Sequence, residues 1–257
     1  MILIYMMTNN ITTEGLIIKQ ANYKEADRML TLFTPEYGII QAAARGVRRI
    51  KNSRAASAQL FCYSEFELYT GGDIANVNGV VMKDAFFPIS EDIEKLSLFT
   101  YLADITAAAL GEHNPDRGTL SLLLNSLYAA AYKNISVKKI KPIFELRLMK
   151  NSGFMPDILR CSRCGAGGSH KYFSHEDALV CPQCRRRSDT EISPDAYACI
   201  YYILYSMPKK IFSFKAPEEA FAQLSQLSEK YVCHHLERNF ATLDYYKKIC
   251  GTNKGGI

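Results

Sequence analysis

The residues best placed to do chemistry are cysteines. Of the eight in the chain, four form two Cys-x-x-Cys pairs, Cys161-Ser-Arg-Cys164 and Cys181-Pro-Gln-Cys184, with 16 residues between them. Each pair can turn two sulfurs toward one point, and two pairs at this spacing make a tetrahedral thiolate cage for a single zinc ion. Pro182 and the Gly165, Gly167 and Gly168 run suit the tight knuckle turns that such a cage needs. Four thiolates leave no open coordination position, so the expected zinc is structural and no reaction is assigned to it.

Other reactive patterns are absent or incomplete. No Gly-x-x-x-x-Gly-Lys-Ser/Thr run and no His-Glu-x-x-His run occurs. His175-Glu176 lies near the second cysteine pair, but a zinc nucleoside deaminase needs His-x-Glu, a proline before the second motif and an open metal position. Here His and Glu are adjacent and Val180 precedes Cys181. His170 or His175 is not needed as a ligand beside a complete cysteine set. Cys233-His234-His235 are consecutive, and helical neighbours point about 100° apart, too far to share one metal. No paired carboxylates and no nucleophile–base arrangement stand out, and the reading is of a protein that is not an enzyme.

The elements that must position the cage are helical. Ser193-Pro194-Asp195 has an N-cap, a proline at the first helical position and an acid behind it, predicting a helix to Ser206. Ala216-Pro217-Glu218-Glu219 opens a last helical region reaching about Ile249 with a break. Upstream, Ser90 is expected to cap a helix that ends at Gly111. Further helices are expected over about 117–132 and over Val137–Asn151. Lys138, Lys139 and Lys141 read as a solvated lysine cluster. The cysteine pairs therefore interrupt a helical domain, as an insert at about residues 157–190.

The first third reads differently. Short strands are expected at Glu14–Lys19, Arg28–Phe33, Gly38–Ala44, Gln59–Thr70 (bent near Ser64) and Ile74–Met82, with Gly71-Gly72-Asp73 as a hairpin turn. Five short strands in so few residues favour a small closed barrel over a flat sheet with open edges. The fold class is α+β: a small closed N-terminal barrel (1–84), then an all-α domain (85–257) carrying the four-cysteine zinc insert.

Between the third and fourth strands runs Ala44-Arg45-Gly46-Val47-Arg48-Arg49-Ile50-Lys51-Asn52-Ser53-Arg54, and no acid occurs from residue 38 to residue 64. The net charge of +5 is mild for a chain of 257 residues, so this local field carries the argument. Guanidinium groups grip phosphate bidentately and displace counterions, which makes Arg45, Arg48, Arg49, Lys51 and Arg54 candidate phosphate contacts. Phe61, Tyr63, Phe66 and Tyr69 on neighbouring strands could stack bases where they point outward, which alternation allows for about half of them. Arg185-Arg186-Arg187 beside Cys184 is a candidate secondary contact, or the reading surface of a zinc-ribbon transcription or RNA-binding factor in the competing interpretation.

Hydrophobic residues make up 48% of the chain, enough for a packed core. Met1 to Met7 is apolar but short, without a basic start or a small-residue cleavage site, and does not read as a signal peptide. Met7 is an alternative start. No apolar run approaches bilayer length, and a reducing cytoplasm fits the paired cysteines best.

Taken in order, these blocks resemble the RecO family of bacterial recombination mediators, from Thr13 to about Lys248. The residues carrying the resemblance are Thr13-Glu14-Gly15-Leu16-Ile17-Ile18, the stretch from Glu25 to Gly38, Ala44-Arg45-Gly46-Val47-Arg48-Arg49, Phe144-Glu145-Leu146-Arg147-Leu148-Met149, Gly153-Phe154-Met155-Pro156 and the cysteine pairs. Glu176-Asp177-Ala178 departs from the glycines that the family often carries there. The resemblance implies an OB-fold, a helical bundle and a zinc-stabilised insert. It also implies a role in the RecF pathway of DNA repair and recombination: binding single- and double-stranded DNA, annealing complementary strands, and working with RecR, single-stranded-DNA-binding protein and RecA. The family's barrel contribution to DNA binding falls here on Arg45, Arg48 and Arg49, with Lys51 and Arg54.

Overall fold

The computed structural model describes residues 9–49, 54–167 and 171–252. Its residues sort into two compact units, Met1–Asp92 with Thr106–Ser121, and Ile93–Ile105 with Leu122–Ile257.

The first unit is built on five strands: β1 (Asn9–Tyr23), β2 (Asp27–Thr34), β3 (Gly38–Ala44), β4 (Tyr63–Thr70) and β5 (Ala75–Asp84). They close into a barrel in the order β1-β2-β3-β5-β4, the expected OB-like architecture. The long β1 serves both sides, pairing with β4 through its first half and β2 through its second. Alternation directs Leu30, Leu32, Ile40, Phe66, Leu68 and Val77 inward to one cluster, and each fully buried side chain of this size contributes about 1.5–3 kcal/mol.

Two strand expectations change. The first strand extends well beyond Glu14–Lys19, because polar residues at both ends still complete the ladders to Thr70 and Asp27. The fourth starts at Tyr63 rather than Gln59. Phe61 adopts a left-handed φ of 64°, and its N–H donates to the Ile17 carbonyl (2.9 Å) beside a bulge in β1. Aromatic alternation ran on through a turn that the backbone does not continue as a strand.

The helices are α1 (Phe87–Ser90), α2 (Ile93–Leu110), α3 (Arg117–Tyr132), α4 (Val137–Asn151), α5 (Pro194–Tyr205), α6 (Glu218–His235) and α7 (Ala241–Thr252). Ser90 does not cap α2. Pro88 starts the one-turn α1, and the Ser90 hydroxyl donates to its Phe87 carbonyl at 2.9 Å. The expectations for α4 and α5 hold: Ser136 and Ser193 accept backbone N–H groups of the first turns, and Gly153 (φ 86°) follows the end of α4.

In the second unit α4 packs against α5 and α6 and is buried from Ile140 through Met149. This overturns the reading of Lys141 as part of a solvated cluster. Its ammonium lies 3.0 Å from Glu145 and 3.2 Å from Glu229, with side chains of Lys141 and Glu145 only 3% and 0% exposed. Glu145 also accepts hydroxyl bonds from Tyr101 (2.7 Å) and Ser228 (2.5 Å). Burial pushes the Glu145 carboxyl up, against the opposing pull of Lys141 and these hydroxyls. An ion pair so enclosed holds α4 and α6 in one register, because any slip leaves a charge unanswered in the core.

The insert between α4 and α5 carries a small sheet unforeseen in the sequence: β6 (Tyr172–Ser174), β7 (Ala178–Val180) and β8 (Thr190–Glu191), ordered β7-β6-β8.

Candidate metal centre and nucleic-acid interface

The fold brings all four paired cysteines together. One sulfur from each of Cys161, Cys164, Cys181 and Cys184 lies within 4.8 Å of the others. The Cys164 and Cys181 sulfurs are 3.8 Å apart. Zinc–sulfur bonds of about 2.3 Å at tetrahedral angles separate sulfurs by about 3.8 Å, so the donor set fits the ion.

Local turns explain the approach. In the first knuckle the Gly165 N–H donates to the Cys161 carbonyl (2.8 Å), and Gly165 takes a φ of 72°. In the second the Cys184 N–H donates to the Cys181 carbonyl (3.1 Å). The Cys181 N–H points at the Cys161 sulfur at 3.3 Å. Burial pushes the Cys161 thiol up, but N–H donors from Cys181, Cys164 and Arg163 outweigh it and hold the thiol at about 6. Sharing with Cys164 and Cys181 pushes Cys184 up to about 12. A metal bound by such a set would displace the protons that it shares.

Among the described residues the other cysteines and histidines do not join the cage; His170 lies outside them. His175 on the β6–β7 turn meets His234 edge-on at 5.3 Å between ring centroids, and His235 stacks near Tyr231 at 4.1 Å. Among the described residues these imidazoles form no second metal cluster.

The basic segment leaves β3 as a tight turn bolted to the barrel. Val47 is buried in the barrel core, while Arg45, Arg48 and Arg49 are exposed around it. Gly46 (φ 63°) donates its N–H to Asp27 at 2.8 Å, and the Arg48 N–H donates to the Ala26 carbonyl at 3.0 Å. The Gly46 amide therefore anchors the turn. Arg54 is half-buried and donates to the carbonyls of Val77 (3.2 Å), Asn78 (3.2 Å) and Arg45 (3.4 Å). It braces both sides of the turn. Lys51 lies outside the described residues, as do Asn52 and Ser53.

Of the aromatic candidates, Phe61 and Phe66 are buried, and Tyr63 donates its hydroxyl to Glu14. Tyr69 remains accessible. The structure adds another candidate: Tyr23 is 41% exposed at the end of β1, with the Lys24 ammonium 5.2 Å from its ring. Arg48 reaches the same hairpin tip, donating to the Glu25 carbonyl at 3.1 Å. Tyr23 was missed because the first strand was expected to stop at Lys19. The signal was the Tyr23-Lys24 pair itself. Arg28, also on this side, donates to the Ala58 carbonyl (3.0 Å), and burial followed by the nearby Arg48 lowers its pKa.

Behind Cys184 the three arginines diverge. The Arg185 guanidinium stacks 4.5 Å over the Tyr172 ring, Arg186 pairs with Glu176 at 3.3 Å, and Arg187 is exposed.

The family profile described as Recombination protein O N terminal matches residues 6–86, and the one described as Recombination protein O C terminal matches residues 90–244. The DNA repair protein RecO of Acetivibrio thermocellus is 34% identical over 245 residues, covering 94% of this chain and 98% of that protein. That of Alkaliphilus metalliredigens is 32% identical over 244 residues, covering 93% and 99%. That of Caldicellulosiruptor saccharolyticus is 28% identical over 241 residues, covering 93% and 98%. With both profiles matched in order over a barrel and a helical region, and with relatives aligned along nearly their whole length, this chain belongs to the RecO family of DNA repair proteins.

Proposed function

We propose that this protein is a non-enzymatic mediator of recombinational repair. It binds single- and double-stranded DNA, anneals complementary strands, and with RecR helps RecA load onto DNA covered by single-stranded-DNA-binding protein. The observation that carries the DNA-binding part is the turn of Arg45, Arg48 and Arg49, exposed on a barrel that holds its backbone in place. Preset cations neutralise phosphates with little ordering cost, and two strands so neutralised can pair on one surface. Lys51 extends the same field. Arg54 belongs to the site as its brace, and Tyr23 and Tyr69 offer ring faces for unpaired bases.

The barrel to about residue 84 is the DNA-binding domain in this reading, and the helical region from residue 85 docks proteins. One zinc ion, held by Cys161, Cys164, Cys181 and Cys184, stabilises the insert at about 157–190. Arg185 and Arg187 supply a secondary DNA contact. The nucleoid is the site of action. Among the described residues no helix is long and apolar enough to cross a membrane.

The test is annealing of complementary oligonucleotides by the full chain, with and without single-stranded-DNA-binding protein, across a salt series. The reading expects accelerated annealing that weakens as salt rises. A chain that neither binds nor anneals DNA at low salt would refute it.

A further inference from the structure

Arg163 sits between the first two cysteines and is 11% exposed, yet it is absent from both DNA candidates and ligand set. Every donor on its guanidinium is used. Nε donates to Asp177 (2.8 Å), Nη1 to the Cys184 carbonyl (2.8 Å) and Asp189 Oδ2 (2.6 Å), and Nη2 to Asp189 Oδ1 (3.1 Å) and Ser174 Oγ (3.4 Å). Five N–H groups meet five acceptors, which exhausts what an arginine can offer.

The acceptors come from three separate segments. The Cys184 carbonyl belongs to the second knuckle. Asp177 and Ser174 belong to the β6–β7 turn, where Ser174 Oγ also accepts the N–H groups of Glu176 (3.2 Å) and Asp177 (3.3 Å). Asp189 closes the turn after the second knuckle, accepting the Arg186 N–H at 2.6 Å. Its side chain is 1% exposed, so its charge depends on the guanidinium for an answer. The first knuckle is thus tied to the second by a side chain outside the ligand set.

We infer that Arg163 is a positioning residue that presets the thiolate cage, and so fixes how tightly and how long the insert keeps its metal. The inference rests on the reading that the four cysteines hold zinc. Ligands already gathered lose less freedom when the ion arrives, and groups that orient ligands commonly alter metal affinity 10–100-fold (roughly) when removed. A lysine keeps the charge but has three donors on one point and cannot reach all three segments.

The experiment compares the full parent chain with Arg163→Lys and Asp189→Asn. Zinc dissociation constants come from competition with a chromophoric chelator, and melting temperatures are taken with and without zinc. Arg163→Lys is expected to weaken zinc binding about 10–100-fold and hasten its release, with metal stoichiometry unchanged. Asp189→Asn, which keeps the guanidinium, is expected to weaken it less. An arginine that merely stabilises the insert would lower both melting temperatures equally and leave zinc affinity unmoved. Affinities within twofold of the parent in both variants would overturn the proposal, as Asp189→Asn alone would if Arg163→Lys failed to fold. A parent that binds no stoichiometric zinc would instead sink the metal reading, and this inference with it.

Discussion

The arginine turn of the barrel and the arginine run behind Cys184 carry the same side chains in different surroundings. In the barrel the structural work falls to Arg28 and Arg54, whose donors are committed to the carbonyls of Ala58, Val77, Asn78 and Arg45. That leaves Arg45, Arg48 and Arg49 on an anchored turn facing solvent. In the insert Arg163 is the brace, but its neighbours are less free: Arg186 is answered by Glu176 and Arg185 lies against Tyr172. Counting arginines therefore does not count phosphate sites. Backbone carbonyls and local carboxylates take their share first, and among the described residues the barrel turn retains more unanswered charge.

The comparison breaks most sharply at the metal. Cys161→Ala is expected to abolish stoichiometric zinc, lower the melting temperature and reduce solubility, because the insert loses metal-coupled folding energy. DNA binding by the barrel should persist, measured by fluorescence anisotropy at matched folded concentration. Loss of all DNA binding in that variant would move the principal interface to the insert.

Next in size is the double replacement of Arg48 and Arg49 by alanine. Removing two phosphate contacts should reduce the slope of log affinity against log salt by roughly one to two, and weaken binding evenly across sequences. The contrasting change, Arg185→Ala with Arg187→Ala, should alter the slope by less than about one. The reverse ranking would exchange the roles of the two segments.

Arg54→Ala separates brace from contact. With three carbonyl bonds lost, chemical denaturation should show a stability loss of about 1–3 kcal/mol. At equal folded fraction, the salt slope should stay near the parent value if Arg54 touches no phosphate.

The smallest effect is in pH. Burial, with His234 and His175 beside it, lowers the His235 pKa below its usual 6.5. The unfolded chain then takes up the proton first, so stability is retained above about 6.5 and falls as pH drops toward the lower folded value. His235→Phe should flatten that dependence in a thermal melt series, while salt-dependent DNA binding by the barrel follows the parent.

Much of this was legible from residue types. Gly38–Ala44 and Val137–Asn151 begin and end where their apolar patterns put them. The cysteine spacing foretold that four sulfurs would meet. What escaped were interactions with distant or silent partners. Lys141 looks solvated until Glu229, 88 positions away, comes alongside Glu145. The bracing bonds of Arg54 were invisible because carbonyl acceptors leave no mark in a sequence. Strands of two or three residues, such as β6 to β8, are too short to show a period.

The barrel's closure has a dynamic consequence. β3 meets β5 through only two residue pairs, Ala42 with Ala75 and Ala43 with Asn76, whereas β1 and β2 share seven. Opening begins where the fewest bonds must break, so this seam is the clasp of the ring and its amides should be the first in the barrel to exchange with solvent. Arg54 fastens to Val77 and Asn78 just past that clasp, and it lies on the segment that carries the exposed arginines. A strand of DNA gripping the turn would press the clasp shut, and slowed exchange at Ala75 and Asn76 would register its arrival from inside the barrel wall.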